Sequence, residues 1–188
     1  DLDELEPGDR ARRYERYERQ VFPVLTPLAG GVARPFPYIS NLSLNLAVMV
    51  SDPETSQQTF ARVKVPTEIL PRFLAADEQG RVLVPLEQLI AAHLDELFPG
   101  MEIVEHGVFR VTRDADYEIE DEADDLLAAV EDELRRRRFG EVVRVELEER
   151  MSEGMRSLII EAPRIEQRQC YDVSTLLDLT SFWQIVKL

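Results

Sequence analysis

Residues 21–50 read V-F-P-V-L-T-P-L-A-G-G-V-A-R-P-F-P-Y-I-S-N-L-S-L-N-L-A-V-M-V, and no other stretch limits the fold as strongly. Proline fixes φ and carries no backbone donor, so Pro23, Pro27, Pro35 and Pro37 exclude a helix interior or a central strand before Tyr38. That part is an extended, shaped lead-in. From Asn41 the pattern changes to strict alternation. Leu42, Leu44, Leu46, Val48 and Val50 fall on one side, and Asn41, Ser43, Asn45, Ala47 and Met49 on the other. Period two over this length predicts a strand with one buried face, the first of a sheet.

The sheet continues in the residues that follow. A polar link with the turn pair Asp52-Pro53 leads to Phe60, Ala61, Val63 and Val65, which predicts an antiparallel hairpin ended by Pro66. P-T-E-I-L-P-R-F-L reads as an ordered loop or a short helical turn. Arg81 to Val84 is a short strand. Pro85 is placed as the first residue of a helix whose apolar stripe is Leu86, Leu89, Ile90, Leu94, Leu97 and Phe98, stopped by Pro99-Gly100. Met101–Glu105 and Val108–Thr112 read as two strands around His106-Gly107. Asp121 to Phe139 reads as a helix with acids at its start and Arg135–Arg138 at its end, matching the macrodipole. Glu141 to Leu147 alternates again as a strand. Met151 to Ala162 reads as a helix with Ser152 as N-cap. The whole predicts an α+β fold: an antiparallel or mixed sheet of about five to six strands covered by helices.

Charge narrows the partners. With 22 Lys and Arg against 37 Asp and Glu, the formal net charge is −15, which repels nucleic acid and anionic lipid on average. The arginines and tyrosines of residues 1–20 therefore read as a solvated helix with tyrosines packed on the body. One cysteine, Cys170, excludes an internal disulfide and fits a reducing, cytoplasmic setting. No window is apolar enough to span a membrane, and peripheral attachment stays open. Leu176, Leu177, Leu179, Phe182, Trp183, Ile185 and Val186 are too apolar for a lone terminus, so they should fold back or dock on another body.

A search for chemistry finds no centre. Gly30-Gly31 lacks the context of a nucleotide loop, and no CxxC, HExxH or G-x-S-x-G is present. His93 lies on the helical stripe without a second base or ligand at useful spacing, and reads as a packed histidine. A small phosphohistidine-type hydrolase built on His93 is the catalytic alternative. In R-V-T-R-D-A-D-Y, Arg110 and Arg113 could grip phosphate or pair with nearby acids, and the acidic excess favours pairing.

Several separated motifs carry a resemblance. VFPVLTPLA, RPFPYISNLSLNLAV, the KVP…LPRF pair, R-V-T-R-D-A-D and ELRRRRFGEVVRVELE occur in the order found in bacterial polyphosphate kinases, over about residues 10 to 160. The segment from Arg164 is looser and lacks the glycine and proline usual there. The resemblance implies residues 1–20 as a helix leading in, 21–163 as the middle or head domain, and 164–188 as a tail toward absent kinase lobes. It implies a parent enzyme, a phosphotransferase that moves the terminal phosphate of ATP reversibly onto polyphosphate, with magnesium, through a phosphohistidine. The family's catalytic motifs are not in this chain, so no catalytic, cofactor-binding or metal-binding residue is carried over, and ATP and magnesium are expected in the parent alone. The implied role is dimerisation and tunnel scaffolding, with self, the other domains of the parent and polyphosphate as partners. Arg110 and Arg113 are the phosphate-contact candidates. Phe36, Tyr38, Asn41, Phe182 and Trp183 are the interface candidates. The alternative is a free-standing acidic interaction module.

Overall fold

A computed structural model describes residues 14–30, 36–77, 79–114, 140–161 and 165–186. The helix expected over Asp121–Phe139, with its four arginines, lies outside the described residues. The framework is a six-stranded sheet in the order β1-β3-β2-β6-β7-β8. Its strands are β1 Pro27–Gly30, β2 Leu44–Ser51, β3 Gln58–Lys64, β6 Glu102–Arg113, β7 Val142–Glu148 and β8 Cys170–Val173. A separate ribbon pairs β4 Phe73–Ala75 with β5 Leu83–Pro85. The sheet is mixed, because β7 and β8 run parallel while the other neighbours are antiparallel. The helices are α1 Leu86–Ala91, α2 Leu94–Leu97, α3 Glu153–Glu161 and α4 Trp183–Val186. The expected α+β class is what forms.

The alternating run lies in the middle of the sheet as β2, hydrogen-bonded to β3 on one side and β6 on the other. Its position corrects the expected single buried face. Leu46, Val48 and Val50 enter one core with Ala61 and Val63 from β3 and Leu86, Leu89, Ile90 and Leu94 from α1 and α2. Ala47 enters a second core with Phe60, Phe109, Val111, Val145, Leu147 and, from α3, Met155 and Ile159. Helices cover both faces, so the small and polar side of the alternation is buried too. Leu42 falls out of the pattern: its φ is 58° and it is half exposed, in the turn before the strand.

The expected hairpin forms, with Asn45 opposite Lys64 and Ser51 opposite Gln58. Asp52 closes it by accepting from the backbone N–H groups of Glu54 and Thr55 at 2.8 and 3.1 Å. The proline-rich lead-in holds an unexpected strand, β1, at the sheet edge against β3, with Pro27 as its first residue. Ahead of it, Tyr17–Val21 makes a wide π-helical turn and Phe22–Val24 a tight 3₁₀ turn, which put Tyr17 and Val21 into the first core.

Two further expectations need correction. The pair of strands expected around His106-Gly107 is one strand of twelve residues, β6. Gly107 makes no turn; a Cβ there would lie 2.7 Å from Met151 Cε, so the glycine lets Met151 pack against the strand. The single helix expected from Pro85 is broken at His93, which has φ −130° and ψ 28°, and Pro85 is an extended cap rather than the first helical residue. At the break the Tyr17 ring stacks on His93 at 4.3 Å and its hydroxyl donates to the His93 carbonyl at 3.3 Å. Ser152 does cap α3, accepting from Met155 N–H at 3.2 Å, while its own N–H and hydroxyl donate to Glu105 at 2.6 Å each.

From Ile165 the chain is built into the body. Its strand β8 lies on β7, with Val145 opposite Cys170. Leu177 is buried in the first core.

Candidate functional site: a charge network under the C-terminal segment

Six charged side chains alternate in sign between the sheet and the elements packed on its first-core face. Arg72 and Glu87 begin the row, each only 2% exposed. Arg72 precedes β4 and Glu87 lies in the first turn of α1. Arg72 Nε donates to both Glu87 carboxylate oxygens at 3.2 Å, and Nη2 donates to Oε1 at 2.6 Å. Such a fork is the strongest form an ion pair takes. The remaining nitrogen, Nη1, donates to the Asp178 backbone carbonyl at 2.7 Å and lies 3.7 Å from Asp178 Oδ2.

Asp178 then passes the row to β6. Arg110 Nη2 is 3.6 Å from Asp178 Oδ1, and Arg110 Nη1 donates to Glu146 Oε2 at 3.0 Å. Arg110 Nε donates to the Leu42 carbonyl at 3.2 Å. Arg144 ends the row, donating to Glu146 Oε1 at 3.0 Å and lying over the Tyr171 ring at 4.3 Å. Asp178 has left-handed backbone, φ 53° and ψ 67°, where a non-glycine residue is strained. Its carboxylate also accepts from the hydroxyls of Ser181, at 2.5 Å, and Thr180. Burial works to raise its pKa, but the Ser181 and Thr180 hydroxyls and the Arg110 and Arg72 guanidiniums together hold it below the usual carboxylate range.

The node turns the chain so that residues 179–186 fold back on β4. Phe182 meets Phe73 edge-on at 5.3 Å. Gln184 accepts from Phe73 N–H at 3.3 Å and donates to Phe73 C=O at 2.9 Å. Leu179, Trp183 and Val186 are left 67, 66 and 71% exposed. A cavity of about 120 Å³ is bordered by Leu46, Glu87, His106, Val108, Glu148 and, ahead of Asp178, Leu177.

The phosphate candidates are thus engaged internally. Arg110 is ion-paired, with Glu146 and Asp178 from distant parts of the chain. Arg113 Nε donates to Ile39 C=O at 2.8 Å and Nη1 to Gly140 C=O at 2.7 Å. Its guanidinium lies 4.7 Å above the Tyr38 ring, and its own N–H donates to Asn41 Oδ1 at 2.8 Å. Two interface candidates, Tyr38 and Asn41, therefore meet Arg113, while Phe36 stacks on Phe60 at 5.1 Å. Phe182 and Trp183 belong to the other group, at the folded-back segment. His93 is packed between Tyr14 and Tyr17, with Nδ1 3.3 Å from Glu96. Burial first, then Glu96 and Asp95, push the Tyr17 hydroxyl well above its ordinary pKa. Arg72, Glu87 and Asp178 were not singled out by sequence reasoning. Arg72 stood inside a quoted motif, and the separation of 106 residues to Asp178 hides their pairing.

Among the described residues, no group of three or more His, Cys, Asp or Glu is placed to hold a metal ion. No helix among them is long and apolar enough to cross a membrane.

The fold and network define a class: an α+β domain with a mixed sheet, helices on both faces and internally engaged arginines. Its fold is that of a solved polyphosphate kinase from Porphyromonas gingivalis, with TM-score 0.76 and 23% identity, over 96% of this chain and 26% of that one. The profile of the family described as "Polyphosphate kinase middle domain" matches residues 9–185. The chain belongs to the polyphosphate kinase family, as its middle domain. Polyphosphate kinase of Mycobacterium tuberculosis (strain ATCC 25618 / H37Rv) is 50% identical over 196 residues, covering 97% of this chain and 26% of the relative. Polyphosphate kinase of Prochlorococcus marinus (strain MIT 9313) is 46% identical over 198 residues, covering 100% of this chain and 28% of the relative. The chain thus spans 26–28% of the length of these two relatives.

Proposed function

We propose that this domain is a non-catalytic scaffold of a polyphosphate kinase, shaping and joining the parts of an enzyme that transfers the terminal phosphate of ATP to polyphosphate with magnesium. The observation that carries the reading is the engagement of Arg110 and Arg113 by Glu146, Asp178, Ile39 and Gly140. An arginine that grips a polymer must exchange partners at each encounter, and one held at three sites inside the fold is suited to shape instead. Trp183, Leu179 and Val186 present an apolar face fit for contact with another part of the parent or a second copy. The test incubates the purified chain with terminally labelled ATP, magnesium and polyphosphate. Neither polymer growth nor protein labelling is expected. Acid-labile phosphate on His93 or His106 would overturn the reading.

The same apolar face favours a second reading, a free-standing interaction module. Extending the reading frame separates the two: a continuation into phosphotransferase sequence excludes the module.

A further inference from the structure

Arg62 stands on β3 between Phe60 and Lys64 in the chain, on the sheet face that packs against α3. It is 7% exposed. Its Nη1 donates to Asn45 Oδ1 at 3.2 Å. Asn45 is fully buried, and its Nδ2 donates to Ser43 C=O at 2.8 Å and Ser43 Oγ at 3.0 Å, which turns its oxygen toward the arginine. Arg62 Nε is buried with no hydrogen-bond acceptor. No carboxylate pairs with it among the described residues. Arg72, Arg110 and Arg156 by contrast each have one. Acids are not scarce, at 37 against 22 Lys and Arg. Burial depresses the pKa of the Arg62 guanidinium, with no opposing charge to restore it.

A buried cation without an anion is a costly state that folded proteins rarely keep. The neutral Asn45 occupies Nη1, which leaves the Nε–Nη2 edge. That edge is the fork that matches two oxygens of a phosphate or carboxylate. Two residues on, and so on the same face of the strand, is a second cation, Lys64, whose ammonium is 2.6 Å from Glu68.

We infer that Arg62, oriented by Asn45 and neighboured by Lys64, is an oxyanion subsite that takes a phosphate group. The assignment rests on the polyphosphate kinase reading, since free phosphate and a polymer phosphate share this chemistry. It differs in kind from the Arg110 network, where the chain's own carboxylates already fill the positions.

The test is thermal unfolding of the 188-residue chain at matched ionic strength, with chloride, acetate, inorganic phosphate or tripolyphosphate, for wild type and Arg62→Met. Phosphate or tripolyphosphate at ten times its dissociation constant should raise the wild-type Tm by about 3–6 °C. Arg62→Met should start no lower and show no phosphate-specific rise. A larger response to tripolyphosphate identifies the polymer as the source, and an equal one identifies free phosphate. Equal rises in both proteins, or none in wild type, would overturn the subsite. A wild-type rise with acetate alone would overturn it in favour of a docked carboxylate. Should Arg62→Met not fold, ³¹P line broadening of tripolyphosphate by wild type and by Arg62→Lys decides. Broadening that is weaker with lysine supports the fork, and identical broadening contradicts it. A phosphate response in a chain whose full-length parent makes no polyphosphate would keep the subsite and remove the family activity. The opposite pair of results would do the reverse.

Discussion

Arg72 and Arg62 are both buried arginines beside the same sheet, and they differ in what surrounds them. Arg72 has a bidentate carboxylate, a backbone carbonyl and a second carboxylate nearby. Arg62 has one neutral amide. The two sites show that burial of a cation is no sign of function until its partners are known. Where the partners are internal, the group fixes a shape. Where they are missing, the group waits for an anion.

The largest effect should follow from breaking the satisfied pair. Glu87→Gln leaves the Arg72 charge buried and should cost about 3–5 kcal/mol, read by urea unfolding. Replacing both, as Arg72→Met with Glu87→Leu, should restore most of that loss, because a matched apolar pair strands no charge. If the double variant is as unstable as the single, the pairing account of this site fails.

Gly107→Ala should come next, at about 1–3 kcal/mol, because its Cβ meets Met151 Cε at 2.7 Å. Adding Met151→Ala to it should relieve part of the cost, which a double-mutant cycle in the same denaturant can measure.

Asp178 offers a smaller effect with a pH signature. Its folded pKa is below the unfolded value, so its contribution is present above about pH 4 and fades as pH falls through the folded pKa. Asp178→Asn tolerates the left-handed backbone and loses the charge. It should cost about 1–2 kcal/mol at pH 7 and converge on wild type in acid. A constant difference across pH would exclude the ionised carboxylate as the cause. Trp183→Ala marks the lower end, within about 0.5 kcal/mol in the isolated chain, because 66% of the residue is exposed.

Much of the sheet was legible because its signal is local. The alternation of β2, the turn at Asp52-Pro53 and the run Val143–Leu147 each fit within a few residues. So did the Ser152 cap. β1 was hidden because P-L-A-G has no alternation and exists only through pairing with β3. Gly107 misled because a glycine that admits Met151 looks, in sequence, like one that makes a turn. The break at His93 coincides with contacts to Tyr17, 76 residues away in the chain, which no local pattern reveals. The network was the least legible part, since its arginines and acids pair across strands and across the fold, and in so acidic a chain no spacing distinguishes those acids from the others. Motif order, in contrast, pointed to the family without any of this geometry.

The sharpest test of the scaffold account is Arg110→Met in a full-length polyphosphate kinase carrying this domain, with stability and polymer kinetics measured on the same preparation. The account predicts a lower Tm, with kcat and the KM for polyphosphate within about threefold of wild type, a change in barrier under about 1 kcal/mol. A KM for polyphosphate raised tenfold or more at unchanged Tm would show that Arg110 grips the polymer, and would contradict it.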